Sequence, residues 1–270
     1  MKRSWRMGIA AAAVASMTLS ATPLSADAWR ASPSWGGRSV EKSVQSGVTR
    51  APPVVEAPQA APERPQTWRP ALGVRPTGDA VQIHARPRHR SEVVHTLPTL
   101  TAFQQVLVFR VLRVVDRPAT GRWYRVLIPE RPNDSTGWIH HGAVDEVALR
   151  DRIVVDLSRR TLRHFRDGEL QHRFWVGIGR DGTPTPTGEF FVWATVPYPN
   201  GGPYGVHALG LSAFSDVITD WAGGGRVAIH GTADPSNRGH QVSNGCVRVY
   251  NPQMAKLTDV PLGTPVTIRA

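Results

Sequence analysis

Cysteine occurs once in 270 residues, as Cys246. That excludes an intramolecular disulfide. Lysine is nearly as scarce, with only Lys2, Lys42 and Lys256 among 32 basic residues. No apolar run reaches the roughly 20 residues that spanning a bilayer takes. Blocks of five or six like charges are also missing. The net charge of +11 is spread as +2 over residues 1–28 and +3 over each of 29–70, 71–147 and 148–270. A nucleic-acid binder gathers its cations on one face, so a nucleic-acid partner is not expected. An evenly basic chain suits polyanions in general. A 40% hydrophobic content supports packed cores, and the length allows about two domains.

The N-terminus reads as a targeting segment. Lys2, Arg3 and Arg6 precede an uncharged stretch from Met7 to Leu19, and Ala26-Asp27-Ala28 fits a small-x-small cleavage site. Residues 1–28 are therefore expected to be a secretory signal peptide, with the chain exported to a periplasm, cell wall or extracellular space. No transmembrane helix is expected after cleavage. A lone thiol outside the cell is an oxidation liability, so Cys246 is either an incidental core residue or a working nucleophile.

Residues 29–70 read as a linker. Six prolines lie between Ala51 and Pro70, mixed with Ala, Gln and Glu and without apolar periodicity. Such a segment buries too little to offset its ordering entropy and should act as an extended spacer.

Residues 71–147 read as short strands. These are Val81–Ile83, Glu92–Leu97, the β-branched run Gln104–Val115, the alternating Arg122–Ile128, and Gly137–Ile139. Their regular spacing suggests a small barrel. The Arg86-Pro87 turn, the Trp123-x-x-Val126 strand and Gly137-Trp138-Ile139 resemble a bacterial SH3-like domain over roughly 65 residues. The resemblance implies a module that binds cell-wall glycan. Packing against its neighbour is the alternative.

Residues 148–270 form a second, mainly β region. Strands are expected over Ile153–Leu157, Leu162–Arg166, Leu170–Val176, Phe190–Val196, Arg226–Ile229 and Pro265–Arg269. Asp167-Gly168 is a hairpin signal. Pro197–Pro203 is a long loop. Asn251 is expected to cap a short helix to Leu257, with Pro252 at its first position.

Two segments carry chemistry: Ile229-His230-Gly231-Thr232 and Ser243-Asn244-Gly245-Cys246-Val247-Arg248. An imidazole within reach of a thiol can take its proton and release a nucleophile. The backbone N–H groups of Asn244, Gly245 and Cys246 are candidates for an oxyanion hole. Together these are parts for acyl transfer. His84, His89, His95, His140 and His141 lack acidic or Cys companions, so no metal or other cofactor is expected.

The wider pattern resembles the YkuD-type L,D-transpeptidase catalytic domain over essentially all of 152–270. It includes Asp156-Leu157-Ser158, Asp167-Gly168, Thr185-Pro186-Thr187-Gly188-Glu189-Phe190, Tyr204-Gly205, Ala208-Leu209-Gly210-Leu211-Ser212, the two site segments and Gly263-Thr264-Pro265-Val266, in family order. The family more often has His where Asn244 stands. The resemblance implies a β-sandwich with a short helix and a substrate of peptidoglycan stem peptides. In that reading Cys246 attacks the third residue of a tetrapeptide stem, D-alanine leaves, and an amine resolves the thioester, with His230 as base. A backbone carbonyl near Gly231 or Thr232 would orient His230. Arg248 would brace the turn or hold a substrate carboxylate. Ser243 would bond within the site or cap the turn. Trp193, Tyr198 and Tyr204 would form a substrate-binding lid or simply pack the loop.

Water as acceptor would make the same fold an L,D-carboxypeptidase. A non-catalytic wall-binding protein is a further alternative, against which the intact Cys246 and His230 argue. A papain-like hydrolase would place Cys before His, the reverse of the order here.

Overall fold

The structure, a computed structural model, describes residues 68–220 and 224–270. The expected signal peptide and nearly all of the expected linker lie outside the described residues. The described chain is mainly β, and no helix in it is long and apolar enough to cross a membrane.

The first sheet has seven strands: β1 Ala71–Pro76, β2 Ala80–His84, β3 Val93–Pro98, β4 Phe109–Arg117, β5 Gly121–Leu127, β6 Thr136–His140 and β7 Val144–Leu149. Their order is β3-β2-β6-β5-β4-β1-β7, with antiparallel neighbours. In β2, Val81 and Ile83 face inward, alternating with the exposed Ala80 and Gln82, as a half-buried strand requires. They meet Val74, Phe109, Tyr124, Val126 and Ile139 in one core. Sequence periodicity does not reveal β1 or β7. β1 carries Gly73 and ends at Pro76, and only Val74 and Pro76 alternate as buried positions.

The second region contains β8 Asp151–Asp156, β9 Thr161–Arg166, β10 Glu169–Trp175, β11 Ile178–Gly179, β12 Gly188–Pro197, β13 His207–Phe214, β14 Arg226–Thr232, β15 Gln241–Ser243, β16 Val247–Tyr250, helix α1 Asn251–Met254 with a 3-10 turn Ala255–Leu257, and β17 Pro265–Arg269. Eight of these strands form one sheet in the order β10-β9-β8-β17-β12-β13-β14-β16, and β11 pairs with β15. The β17–β8 and β14–β16 pairs are parallel. Strand β12 joins the halves, pairing β17 through Gly188–Phe191 and β13 through Val192–Pro197. Ile153, Leu162, Phe190, Leu209, Leu211, Ile229, Val247 and Met254 are among the buried residues of its core. Asp167 and Gly168 have φ of 55° and 83°, the left-handed pair that a tight hairpin turn demands.

Two expectations are corrected, and one strand carries no sequence signature. Strand β13 was not anticipated, because all eight of its residues are buried and no alternation marks it. Strand β14 continues past His230 to Thr232, so the histidine lies within the strand. Asn251 does not cap the helix; it is the first helical residue, Tyr250 holds the cap position without a side-chain bond, and Asn251 Oδ1 accepts the N–H of Val206 at 3.3 Å.

The two regions share an interface. The Gln105 amide donates to the Thr195 carbonyl at 2.7 Å and accepts the Thr195 N–H at 3.0 Å. Asn133 does the same for Phe214, at 2.8 Å each way. Each amide thus completes a backbone pair that would otherwise be left unsatisfied. Phe191 of β12 belongs to the core of the first sheet. Arg131 donates to the carbonyls of Ser215, Ile218 and Gly224, which fixes the segment leading into β14.

Candidate active site

Strands β14 and β16 build the site. They run parallel, with Ile229 opposite Val247 and His230 opposite Arg248. Side chains alternate along a strand. Val227, Ile229, Val247 and Val249 face the core, so Ala228, His230, Cys246 and Arg248 share the other face. Cys246 stands one step before Val247, beside Ala228, whose N–H donates to its Sγ. The apolar alternation that anchors these strands therefore brings the thiol and the imidazole to one side of the sheet.

The His230 ring is buried. Its Nδ1 lies 2.8 Å from the Gly231 carbonyl. A carbonyl only accepts, so Nδ1 carries the proton and Nε2 keeps its lone pair. Thr232 takes no part in this; its Oγ1 accepts the N–H of Asp234. Burial pushes the His230 pKa down to about 4, and Arg248 adds to the shift against the opposing Gly231 bond. Burial raises the Cys246 thiol, while the Ala228 N–H and Arg248 pull it back. At neutral pH the resting pair is accordingly a neutral thiol and a neutral imidazole.

The nucleophile turn is held from behind. Ser243 Oγ accepts the N–H of Gly245 at 3.1 Å and donates to the Cys246 carbonyl at 2.5 Å. That corrects the expected three-amide oxyanion hole, because the Gly245 N–H is already committed. The N–H groups of Asn244 and Cys246 are the turn's remaining candidates. Thr183 Oγ1 donates to the Ser243 carbonyl, and Thr185 Oγ1 accepts the N–H of Gly179. A Cβ on Gly179 would lie 2.4 Å from the Thr183 carbonyl oxygen, so only glycine fits there.

Arg248 donates from Nη1 to Asn237 Oδ1 at 2.9 Å, and Asn237 donates to Asp234. Its backbone exchanges both bonds with Gly177. This is a brace between β16 and the 3-10 turn at Pro235–Asn237.

Tyr204 stands edge-on to His230 with ring centroids 5.2 Å apart, and Tyr198 lies 5.6 Å from Tyr204. Burial, with Cys246 and Tyr198 nearby, lifts the Tyr204 pKa to about 12, so its phenol stays protonated. Trp193 is not part of this group. It packs on the core of the first sheet, and the Arg226 guanidinium lies 4.0 Å above its ring.

Sequence reasoning missed Arg180. Its Nη2 donates to Asn244 Oδ1, and its backbone N–H donates to Ser243. Asn251, expected only as a helix cap, also reaches the site: its Oδ1 would lie 2.4 Å from a Cβ on Gly231. The close fit of that glycine sets the carbonyl that orients His230.

The L,D-transpeptidase catalytic domain of the YkuD family matches residues 150–268, which include both His230 and Cys246. The YkuD protein of Bacillus licheniformis, named as an L,D-transpeptidase, is 38% identical over 118 residues, or 43% of this chain and 64% of that protein. The YkuD protein of Bacillus subtilis is 33% identical over 128 residues, covering 47% of this chain and 71% of that one. The chain belongs to the YkuD family of L,D-transpeptidases. It spans only 64% of the length of the Bacillus licheniformis relative, and the YkuD-family match leaves the first sheet outside. Among solved structures, a cysteine-to-serine variant of an Enterococcus faecium L,D-transpeptidase is 27% identical, covering 44% of this chain and 50% of that one with a TM-score of 0.33.

Proposed function

We propose that the protein is a peptidoglycan L,D-transpeptidase that uses Cys246 as nucleophile and His230 as base. The observation that carries this reading is the common face of β14 and β16, with Nε2 of His230 freed by the Gly231 carbonyl. The thiol gives its proton to Nε2 as sulfur attacks the carbonyl carbon of the third residue of a tetrapeptide stem. The amides of Asn244 and Cys246 receive the developing oxyanion. The bond to D-alanine breaks, and its nitrogen takes the proton from His230. A thioester remains. An amine of a second stem then attacks, gives its proton to His230, and displaces the thiolate, which recovers that proton. The neutral resting pair means that proton transfer accompanies attack.

Tyr198 and Tyr204 bound the substrate cleft in this reading. The first sheet is proposed to be an SH3-like module that holds cell-wall glycan, and residues 1–28 a cleaved signal peptide that exports the chain. N-terminal sequencing of the protein recovered outside the cytoplasm tests the export; an intact Met1 there would refute cleavage.

The deciding experiment incubates the protein with tetrapeptide muropeptides, with and without an added D-amino acid, and reads products by mass spectrometry. The expected result is D-alanine exchange or a cross-linked dimer, abolished by Cys246→Ala. Release of D-alanine without exchange would make water the acceptor. No reaction would refute the proposal on this substrate.

A further inference from the structure

The first sheet carries a basic cavity that the Cys–His site does not use. Its volume is about 460 Å³, within the usual range for ligand pockets. One wall is Arg86, Pro87 and Arg88, after β2; the other is Arg117, at the end of β4, with residues 118–120 of the turn into β5. No acidic residue lines it. Among the described residues, Arg86, Arg88 and Arg117 form no ion pair, whereas Arg75, Arg110 and Arg122 of the same sheet each do. The neighbouring Asp116 points to the other face of β4 and is held by Arg122 at 2.9 Å.

Both walls are built in advance. The first loop is closed by Ala85 N–H to the Glu92 carbonyl, Arg86 N–H to Ser91 Oγ, and Ser91 N–H to the Arg88 carbonyl. In the second, Trp123 Nε1 donates to Thr120 Oγ1 at 3.1 Å and His140 Nε2 donates to the Thr120 carbonyl at 2.8 Å. The His89 ring, next to Arg88, lies 5.1 Å from the Trp123 ring and 4.5 Å from that of His140. One aromatic stack therefore ties the two arginine-bearing loops together.

We infer that this cavity binds an oligoanion, a ligand carrying two or more phosphate or carboxylate groups. Three arginines line one cavity with no carboxylate among its lining residues, so an anion there meets their combined positive charge. Their planar forks suit both oxyanions in bidentate geometry. Pro87, Pro118 and Ala119 give the ligand's carbon framework an apolar wall. The inference is independent of the transpeptidase reading.

The test is isothermal titration of the full chain at low salt with sodium tripolyphosphate and, separately, with hexaglutamate. The Arg86→Gln/Arg88→Gln/Arg117→Gln variant is compared with Arg69→Gln/Arg113→Gln/Arg159→Gln, which removes the same charge from exposed sites outside the cavity. The expected result is saturable binding of one ligand per chain, weakened about tenfold or more by the first triple and less than about twofold by the second. Tighter binding of tripolyphosphate would identify phosphate as the natural group, and tighter hexaglutamate binding would identify carboxylate. Equal weakening by both triples, or no saturable binding of either probe, would overturn the inference.

Discussion

His230 stands directly across the parallel β14–β16 pair from Arg248. The cation and the burial act in the same direction on the imidazole, holding it neutral down to about pH 4. An unfolded histidine titrates near 6.5. Between those values the unfolded chain binds a proton that the native chain refuses, so stability falls as pH drops from about 6.5 to about 4 and levels off below. The difference amounts to roughly 3 kcal/mol. Asp151 and Asp156, whose pKa values are depressed, lose their contribution only as pH falls below the ordinary carboxylate range. Urea unfolding at a series of pH values should show a shallower slope between pH 6.5 and 4 in His230→Asn than in the parent. Equal slopes would mean that the native imidazole is protonated like a free one.

The same pairing predicts the behaviour of the thiol. Burial raises the Cys246 pKa and Arg248 lowers it. Alkylation by iodoacetamide should therefore speed up steadily through the free-thiol range, without a plateau near neutral pH. Arg248→Gln should move the profile to still higher pH, because it removes a cation that favours the thiolate. A plateau below pH 7 in the parent would instead reveal a preformed thiolate–imidazolium pair.

Ser243 supports the turn from both ends. Ser243→Ala leaves the Gly245 N–H without a partner in a buried position, which costs about 1–3 kcal/mol. The turn that presents the Cys246 amide then loosens, and single-turnover acylation should slow by roughly ten- to a hundredfold. Chemical denaturation and rapid-quench mass spectrometry measure the two effects. Unchanged acylation in a destabilised variant would limit Ser243 to a structural role.

What was legible in the sequence was local. Cys246, His230 and the Asp167-Gly168 turn are readable because each lies in a short segment whose chemistry or φ preference is self-contained. Strand β13 was hidden because burial on both faces erases alternation. The surroundings of Trp193 are not readable from its chain neighbours, because it packs with Phe103 and with Arg226, the latter brought in by the β12–β13–β14 ladder. Arg180 and Asn244 are 64 residues apart, and no spacing rule connects them. The fold-wide pattern survived because it depends on many such segments in order rather than on any single contact.

Gly231 unites the fold with the chemistry. Its carbonyl sets the His230 tautomer, and its Cα faces Asn251 Oδ1 and the Val206 N–H, which are themselves bonded to each other. A methyl group there would lie 2.4 Å from that oxygen and 2.9 Å from the Val206 nitrogen. Neither is the free end of a flexible chain, so the strand must shift. Gly231→Ala should destabilise the protein by about 1–3 kcal/mol through overpacking and slow acylation by about a hundredfold, as a small displacement of a catalytic group can. Asn251→Ala in the same background removes the opposing oxygen and should recover part of both losses. The double-mutant cycle, read by urea midpoint and acylation rate, measures that coupling directly. Strict additivity of the two substitutions would show that the glycine does not set the imidazole through Asn251.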